Sequence, residues 1–121
     1  GMNHATERSD MVRAVLEGIA LLTARLIDAA SAVAPIGDTI SIDGGLSNSR
    51  YFVRFLAAAS GRTICVPAMR ELTALGLAEL CGIDVAAMRR ETEIFAPDGS
   101  VGAEDHARFA RAIDNARCWG R

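Results

Sequence analysis

Residues 39–49 read Thr-Ile-Ser-Ile-Asp-Gly-Gly-Leu-Ser-Asn-Ser, and what this stretch becomes decides how the rest of the chain is arranged. Ile40 and Ile42 alternate with Thr39, Ser41 and Asp43, the period-two pattern of a strand with one apolar face. Gly44 and Gly45 follow; without a Cβ they open backbone conformations closed to other residues and let a second group come close to the main chain. Beyond Ser47 the spacing becomes helical, with Phe52, Phe55, Leu56 and Ala59 on one face and Arg50 and Arg54 off it. Ser47 is the predicted N-cap, and the free N–H groups past it favour negative charge or a polar ligand edge. A tight hairpin is the plain alternative for Asp-Gly-Gly. It would need a second alternating strand after the turn, and a helical face stands there instead.

Working outward, Ser60-Gly61 ends this helix, and Arg62 to Val66 alternates again as a second short strand stopped by Pro67. Strand, helix and strand make a βαβ unit, so the two strands are expected to be parallel with a right-handed crossover. The glycine loop then falls at the carboxyl end of the first strand, where open α/β sheets bind ligands. Upstream, Val12, Val15, Leu16, Ile19, Leu22, Leu26, Ile27, Ala30 and Val33 recur at three and four and predict one long amphipathic helix. It starts near Ser9 and Asp10 and ends before Pro35 and Gly37. Gly18 in its middle is either a point of close packing or a tolerated glycine.

Downstream, Arg70 to Cys81 predicts a helix closed by Gly82, with leucines on nearly all sides and hence buried; Gly76 is a second candidate for close packing. Asp84 is a candidate cap for a short helix through Arg90, and Ile94-Phe95 with the Pro97-Asp98-Gly99 turn reads as a connector. Ala103 to Cys118 predicts a final helix that docks through Phe109, Ala110, Ile113 and Ala116, with Trp119 as anchor. The expected fold is α/β and mostly helical, with two short parallel strands near 39–43 and 62–66 and helices near 9–33, 47–59, 70–81 and 103–118. Residues 1–8 read as a tag remnant, Gly1, and a flexible leader, and 9–121 as one domain.

Composition narrows the chemistry. The 121 residues are 50% hydrophobic and 23% charged with a net charge of −2, a globular balance without the basic tract that nucleic-acid binding needs. All 13 cations are Arg. Without lysine, a Walker-type phosphate loop, Schiff-base chemistry and a lysine base are excluded. Cys65, Cys81 and Cys118 are odd in number and form no C-x-x-C pair, which fits reduced thiols in the cytoplasm. His4 and His106 lie in polar surroundings without ligand spacing, so no metal site is expected. No apolar run is long enough to span a bilayer, and no signal segment is visible.

Taken in order, several segments resemble the C-terminal part of the FGGY family of carbohydrate kinases. Val12–Ala20 (V-R-A-V-L-E-G-I-A) resembles the helix before that family's adenine-side strand, and Ile42–Ser47 (I-D-G-G-L-S) its adenosine-binding loop. Tyr51–Gly61 resembles the helix that follows, Glu71–Gly76 (E-L-T-A-L-G) a recurring helix, and the tail through Trp119 the closing one. The resemblance implies part of the second, nucleotide-side lobe of an actin-like, ribonuclease-H-related fold. It also implies ATP or ADP with Mg as cofactor of the complete enzyme, and nucleotide contacts at Gly44, Gly45, Asn48 and Ser49. Many members carry Asn where this chain has Ser49, a shorter side chain that still donates and accepts. The family's catalytic Asp and phosphate loops have no counterpart here. Asp43 reads as an end-of-strand carboxylate bonding nearby N–H groups, and no catalytic residue is assigned.

The leading expectation is therefore the nucleotide-side C-terminal portion of an ATP-dependent sugar or polyol kinase, inactive as an isolated chain. The first alternative is a non-catalytic remnant that acts as a homo-association module; a more distant one is an unrelated α/β domain that uses the loop for another nucleotide-like ligand. Two parallel strands make a thin sheet whose edges and faces need cover, from a missing N-terminal lobe or from a second copy in a homodimer.

Overall fold

The computed structural model describes residues 2–68, 72–85 and 92–119. Helix α1 (Arg8–Val33) leads to strand β1 (Thr39–Ser41), a 3-10 turn (Gly45–Asn48), helix α2 (Arg50–Ser60) and strand β2 (Thr63–Pro67). Helix α3 (Leu72–Leu80), strand β3 (Thr92–Phe95) and helix α4 (Ala103–Cys118) complete the order. The predicted βαβ unit is present, with β1 parallel to β2 and Ile40 opposite Ile64. The Ile42 N–H extends the pairing by donating to the Cys65 carbonyl at 3.0 Å.

Among the described residues the sheet has three strands, not two, in the order β1-β2-β3. Residues 92–95, expected as connector, pair antiparallel with β2, Phe95 opposite Ile64 and Thr92 opposite Pro67. The expected turn follows, with the Ser100 N–H donating to the Asp98 carboxylate at 2.9 Å. The Ser100 hydroxyl first, and then that bond, hold the Asp98 pKa below its ordinary value.

The core forms where α2 and α1 cover one face of this sheet. Val53, Ala57, Ile64 and Ala20 are wholly buried and Leu56 nearly so, with Ile40, Ile42, Val66 and Phe95 packed around them. α2 ends as predicted, at Gly61 in the left-handed region (φ 63°). A second cluster joins Leu21 and Ala24 of α1 to Ala59 of α2, with Phe109 of α4 against it. A Cβ at Gly18 would meet the Phe109 ring at 4.0 Å, an ordinary contact. α4 therefore packs beside this glycine without requiring it.

A half-buried cation fixes the joint between α1 and the sheet. The Arg62 guanidinium donates to the carbonyls of Ile36 (3.0 Å) and Gly37 (2.7 Å) and to the Ser31 hydroxyl (3.0 Å). It thereby satisfies carbonyls of the α1–β1 connector that no helix or ladder partner reaches.

Other boundaries moved for local reasons. α1 begins at Arg8, with the Asp10 carboxylate accepting the Glu7 N–H at 2.9 Å. β1 stops at Ser41. The single stripe expected on α1 is two: Leu16, Ala20, Leu21 and Ala24 face the body, whereas Val12, Val15, Ile19, Leu22 and Leu26 are exposed. α3 is not buried as expected; only Leu75 is, with Leu77 63% and Leu80 87% exposed, and nothing stands within 4 Å of a Cβ at Gly76. α4 docks through half-buried Phe109, Ala110 and Ile113, but Ala116 faces solvent and Trp119 anchors nothing at 95% exposure. Asp84 and Val85 are not helical, and residues 86–90 of the predicted short helix and the first two residues of the predicted 70–81 helix fall outside the described residues.

Candidate functional site

The loop after β1 is built from its own hydrogen bonds. The Asp43 carboxylate turns back to accept the Gly44 N–H at 2.6 Å, the role expected for it. Gly44 then adopts φ 100°, a conformation that demands glycine. Gly45 has no such constraint; where its Cβ would stand, no heavy atom lies within 4 Å. The two glycines therefore differ in kind: Gly44 sets the turn, and Gly45 leaves an open surface beside the main chain.

The turn closes as Ser47 gives both its N–H (3.1 Å) and its hydroxyl (2.7 Å) to the Gly44 carbonyl. The Asn48 amide donates to the Gly45 carbonyl at 3.2 Å. A four-residue 3-10 turn thus occupies the place predicted for the first turn of the helix, and the N-cap of α2 is Ser49, not Ser47. The Ser49 hydroxyl accepts the Phe52 N–H at 3.3 Å. As an acceptor it caps the helix.

These residues form one wall of a groove of about 730 Å3. Asp43, Gly44, Gly45, Ser47, Asn48 and Arg50 line that side, and Val66, Pro67, Ala68, Thr92, Glu93 and Phe95 line the other. All of the sequence-predicted loop residues except Ser49 reach the lining; Ser49 sits behind it in the cap. The Thr92, Glu93 and Phe95 part of the second wall was not foreseen, because it belongs to β3, whereas Val66 and Pro67 lie at the end of the predicted second strand. The usable signals were β-branched Thr92 and Ile94 and aromatic Phe95 just before a Pro-Asp-Gly turn. Arg50 and Glu93 join the walls through an ion pair of 2.8 Å. Such a volume is that of a small-molecule site, and a glycine main chain, an amide, the Arg50–Glu93 pair and the Asp43 carboxylate give it a polar lining without net positive charge.

A second polar group sets the angle of α2 behind the loop. The Tyr51 hydroxyl donates to the Glu17 carboxylate of α1, and Arg13 donates to the same oxygen at 2.6 Å, its guanidinium 5.9 Å from the Tyr51 ring centre. Partial burial works to raise the Glu17 pKa, but the bonds from Tyr51 and Arg13 outweigh it and hold the carboxyl below its ordinary value. Burial and then the Glu17 bond push the Tyr51 phenol up. Among the described residues, no three His, Cys, Asp or Glu side chains cluster as a metal site, and no helix is long and apolar enough to cross a membrane.

Comparison with known proteins gives this geometry a setting. Residues 1–85 match the family model described as the FGGY family of carbohydrate kinases, C-terminal domain. A glycerol kinase of Solidesulfovibrio magneticus is 35% identical over 131 residues, 98% of this chain and 26% of the relative. One from Clostridium perfringens is 27% identical over 133 residues, again 98% of this chain and 26% of the relative. The crystal structure of Plasmodium falciparum glycerol kinase with ADP superposes with a TM-score of 0.72 at 27% identity, over 96% of this chain and 25% of that one. A sugar kinase from Brucella ovis superposes with a TM-score of 0.75 at 22% identity, over 98% and 27%, a likeness of fold alone. The chain thus spans about a quarter of the length of these relatives.

Proposed function

The chain belongs to the FGGY family of carbohydrate kinases, matching its C-terminal domain, and from that premise we propose that it forms the nucleotide-side wall of an ATP-dependent sugar or polyol kinase. The observation that carries this reading is the open main chain at Gly45, facing a groove at the carboxyl ends of two parallel strands. Gly44 shapes the loop, Gly45 admits the flat edge of a nucleoside, and the Asn48 amide supplies a donor beside it. A groove of this size has room for a nucleoside diphosphate.

In the complete enzyme, Mg-ATP supplies the γ-phosphoryl group that passes to a substrate hydroxyl. This chain's part is to bind and orient. Phosphoryl transfer rests on positioning and on charge stabilisation, and here the positioning elements are the loop, the α2 cap and the β3 wall. Asp43 is engaged with the Gly44 N–H and is not assigned as the base, which belongs to a preceding lobe. The isolated chain is expected to bind nucleotide weakly and to transfer nothing. Its free cysteines suit the cytoplasm.

A second reading, homo-association, is favoured by the sheet: among the described residues, the outer edges of β1 and β3 have no partner strand. Calorimetric titration of ADP and Mg-ATP into the wild type and Gly45→Leu tests the nucleotide reading. Open space at Gly45 allows the new side chain without disturbing the fold, so weak binding should vanish in a still-folded variant. Equal binding by both proteins contradicts the assignment.

A further inference from the structure

Two Asp-Gly sequences occur in the chain, Asp43-Gly44 in the glycine loop and Asp98-Gly99 after β3. In most respects they are alike. All four residues are exposed. Gly44 (φ 100°) and Gly99 (φ 71°) both hold the left-handed backbone that favours glycine. On neither does any heavy atom lie within 4 Å of where a Cβ would stand. What differs is the direction of the carboxyl group. Asp43 folds back onto the next residue, with Oδ1 2.6 Å from the Gly44 nitrogen. Asp98 reaches past Gly99, and its Oδ1 accepts the Ser100 N–H at 2.9 Å.

That direction decides a reaction open to any Asp-Gly pair. The amide nitrogen of the glycine loses its proton and bonds to the aspartyl Cγ; the Cγ–OH bond breaks, and the hydroxyl leaves with a proton as water. A five-membered succinimide results. Water then adds to one of its two carbonyl carbons. Addition at Cγ restores aspartate, whereas addition at the main-chain carbon leaves the chain running through Cβ and Cγ as isoaspartate. The sum is an isomerisation that needs only water, which reaches both exposed sites. At Asp43 the attacking nitrogen already touches an oxygen one bond from Cγ. At Asp98 the carboxyl is held by the residue beyond. The Ser100 hydroxyl and then its N–H also keep the Asp98 pKa low, so less of the protonated acid that sheds hydroxyl is present.

The geometry points to Asp43 as a self-modification site: in the folded chain its carboxyl is captured by the Gly44 amide nitrogen and passes through succinimide to isoaspartate, while Asp98 is protected. The consequence falls on the loop. Isoaspartate adds one main-chain atom between Ile42, whose N–H is fixed to the Cys65 carbonyl, and Gly44, whose carbonyl holds Ser47. The turn must shift away from the end of β1, and the wall it forms shifts with it. The modification stands independently of what the groove binds.

The test is to age the purified 121-residue chain for weeks at neutral pH and to locate isoaspartate by peptide mapping with electron-transfer fragmentation, circular dichroism confirming that the chain stays folded. Isoaspartate should accumulate at residue 43 several-fold faster than at residue 98. In concentrated urea the two rates should come together, because the residue after each Asp is the same and the fold no longer orients either carboxyl. Ser100→Ala removes the hydroxyl from Asp98 and should speed isoaspartate formation at residue 98. Equal rates in the folded chain, no isoaspartate at residue 43, or a difference that persists in urea overturns the proposal. An unchanged rate at residue 98 in Ser100→Ala overturns the protection of Asp98. In amide spectra the aged fraction should show Gly44, Gly45 and Ser47 displaced with α4 unmoved; unmoved loop signals overturn the shift of the wall.

Discussion

α2 and α3 are similar in length, 11 and 9 residues, yet the helix with more polar residues is the buried one. α2 carries Arg50, Tyr51, Arg54 and Ser60, and it still buries Phe52, Val53, Leu56, Ala57, Ala58 and Ala59. α3 is almost wholly apolar and buries Leu75 alone. The difference is pattern. The apolar positions of α2 gather on the side that meets α1 and the sheet, and its charges leave by the opposite side; the leucines of α3 point in every direction, and no single surface can cover them all. Apolar content says that a helix needs cover, and the pattern says whether one neighbour can supply it.

The contrast can be broken most strongly at Leu56, which is 1% exposed. Leu56→Ala removes buried methyl groups and leaves a cavity, so it should cost about 2–5 kcal/mol in urea denaturation, with the groove beside the glycine loop disturbed as α2 loosens.

A smaller effect lies in the clasp that ties α2 to α1. Glu17 titrates lower in the folded chain than in the unfolded one, so its contribution is complete above the unfolded pKa of about 4.3 and disappears as pH falls through the folded value. Tyr51 titrates higher when folded, so its contribution is complete below about pH 10 and is lost as pH rises through the folded value. Tyr51→Phe should cost about 0.5–1 kcal/mol at neutral pH, the lower part of the range for a half-exposed bond. It should also flatten the fall in melting temperature below pH 4. A fall as steep as that of the wild type would contradict the clasp.

The smallest change is expected on α3. Leu80, 87% exposed, has no packing to lose, and Leu80→Ala should move stability by less than about 0.5 kcal/mol. A loss comparable to that of Leu56→Ala would mean that α3 is covered after all.

Much of the site was legible because its signals are local. Ile40 and Ile42, the glycine pair, the α2 face and the Gly61 cap each lie within a few residues of what they determine, and the parallel βαβ unit followed from their order. The cap was displaced from Ser47 to Ser49 because two serines two residues apart are equally good caps; a 3-10 turn, held by Ser47 and Asn48, decides between them. β3 was hidden for the opposite reason. Thr-Glu-Ile-Phe is too short to show alternation, and its pairing with Ile64 and Val66 depends on residues some thirty positions away. The β3 part of the groove's second wall, including the Arg50–Glu93 pair, was lost with it. On α1 the periods of 3.5 and 3.6 overlap within a few turns, so two faces read as one until burial separated them.

The account turns on whether the groove between the glycine loop and β3 receives a nucleotide. Titration of ADP into isotopically labelled protein, followed by amide correlation spectra, tests this at the level of residues. The prediction is saturable shifts at Gly44, Gly45 and Asn48 on one wall and Thr92 and Glu93 on the other, with the outer face of α1 unmoved. Shifts that avoid both walls, or none at all at high ADP, would contradict it.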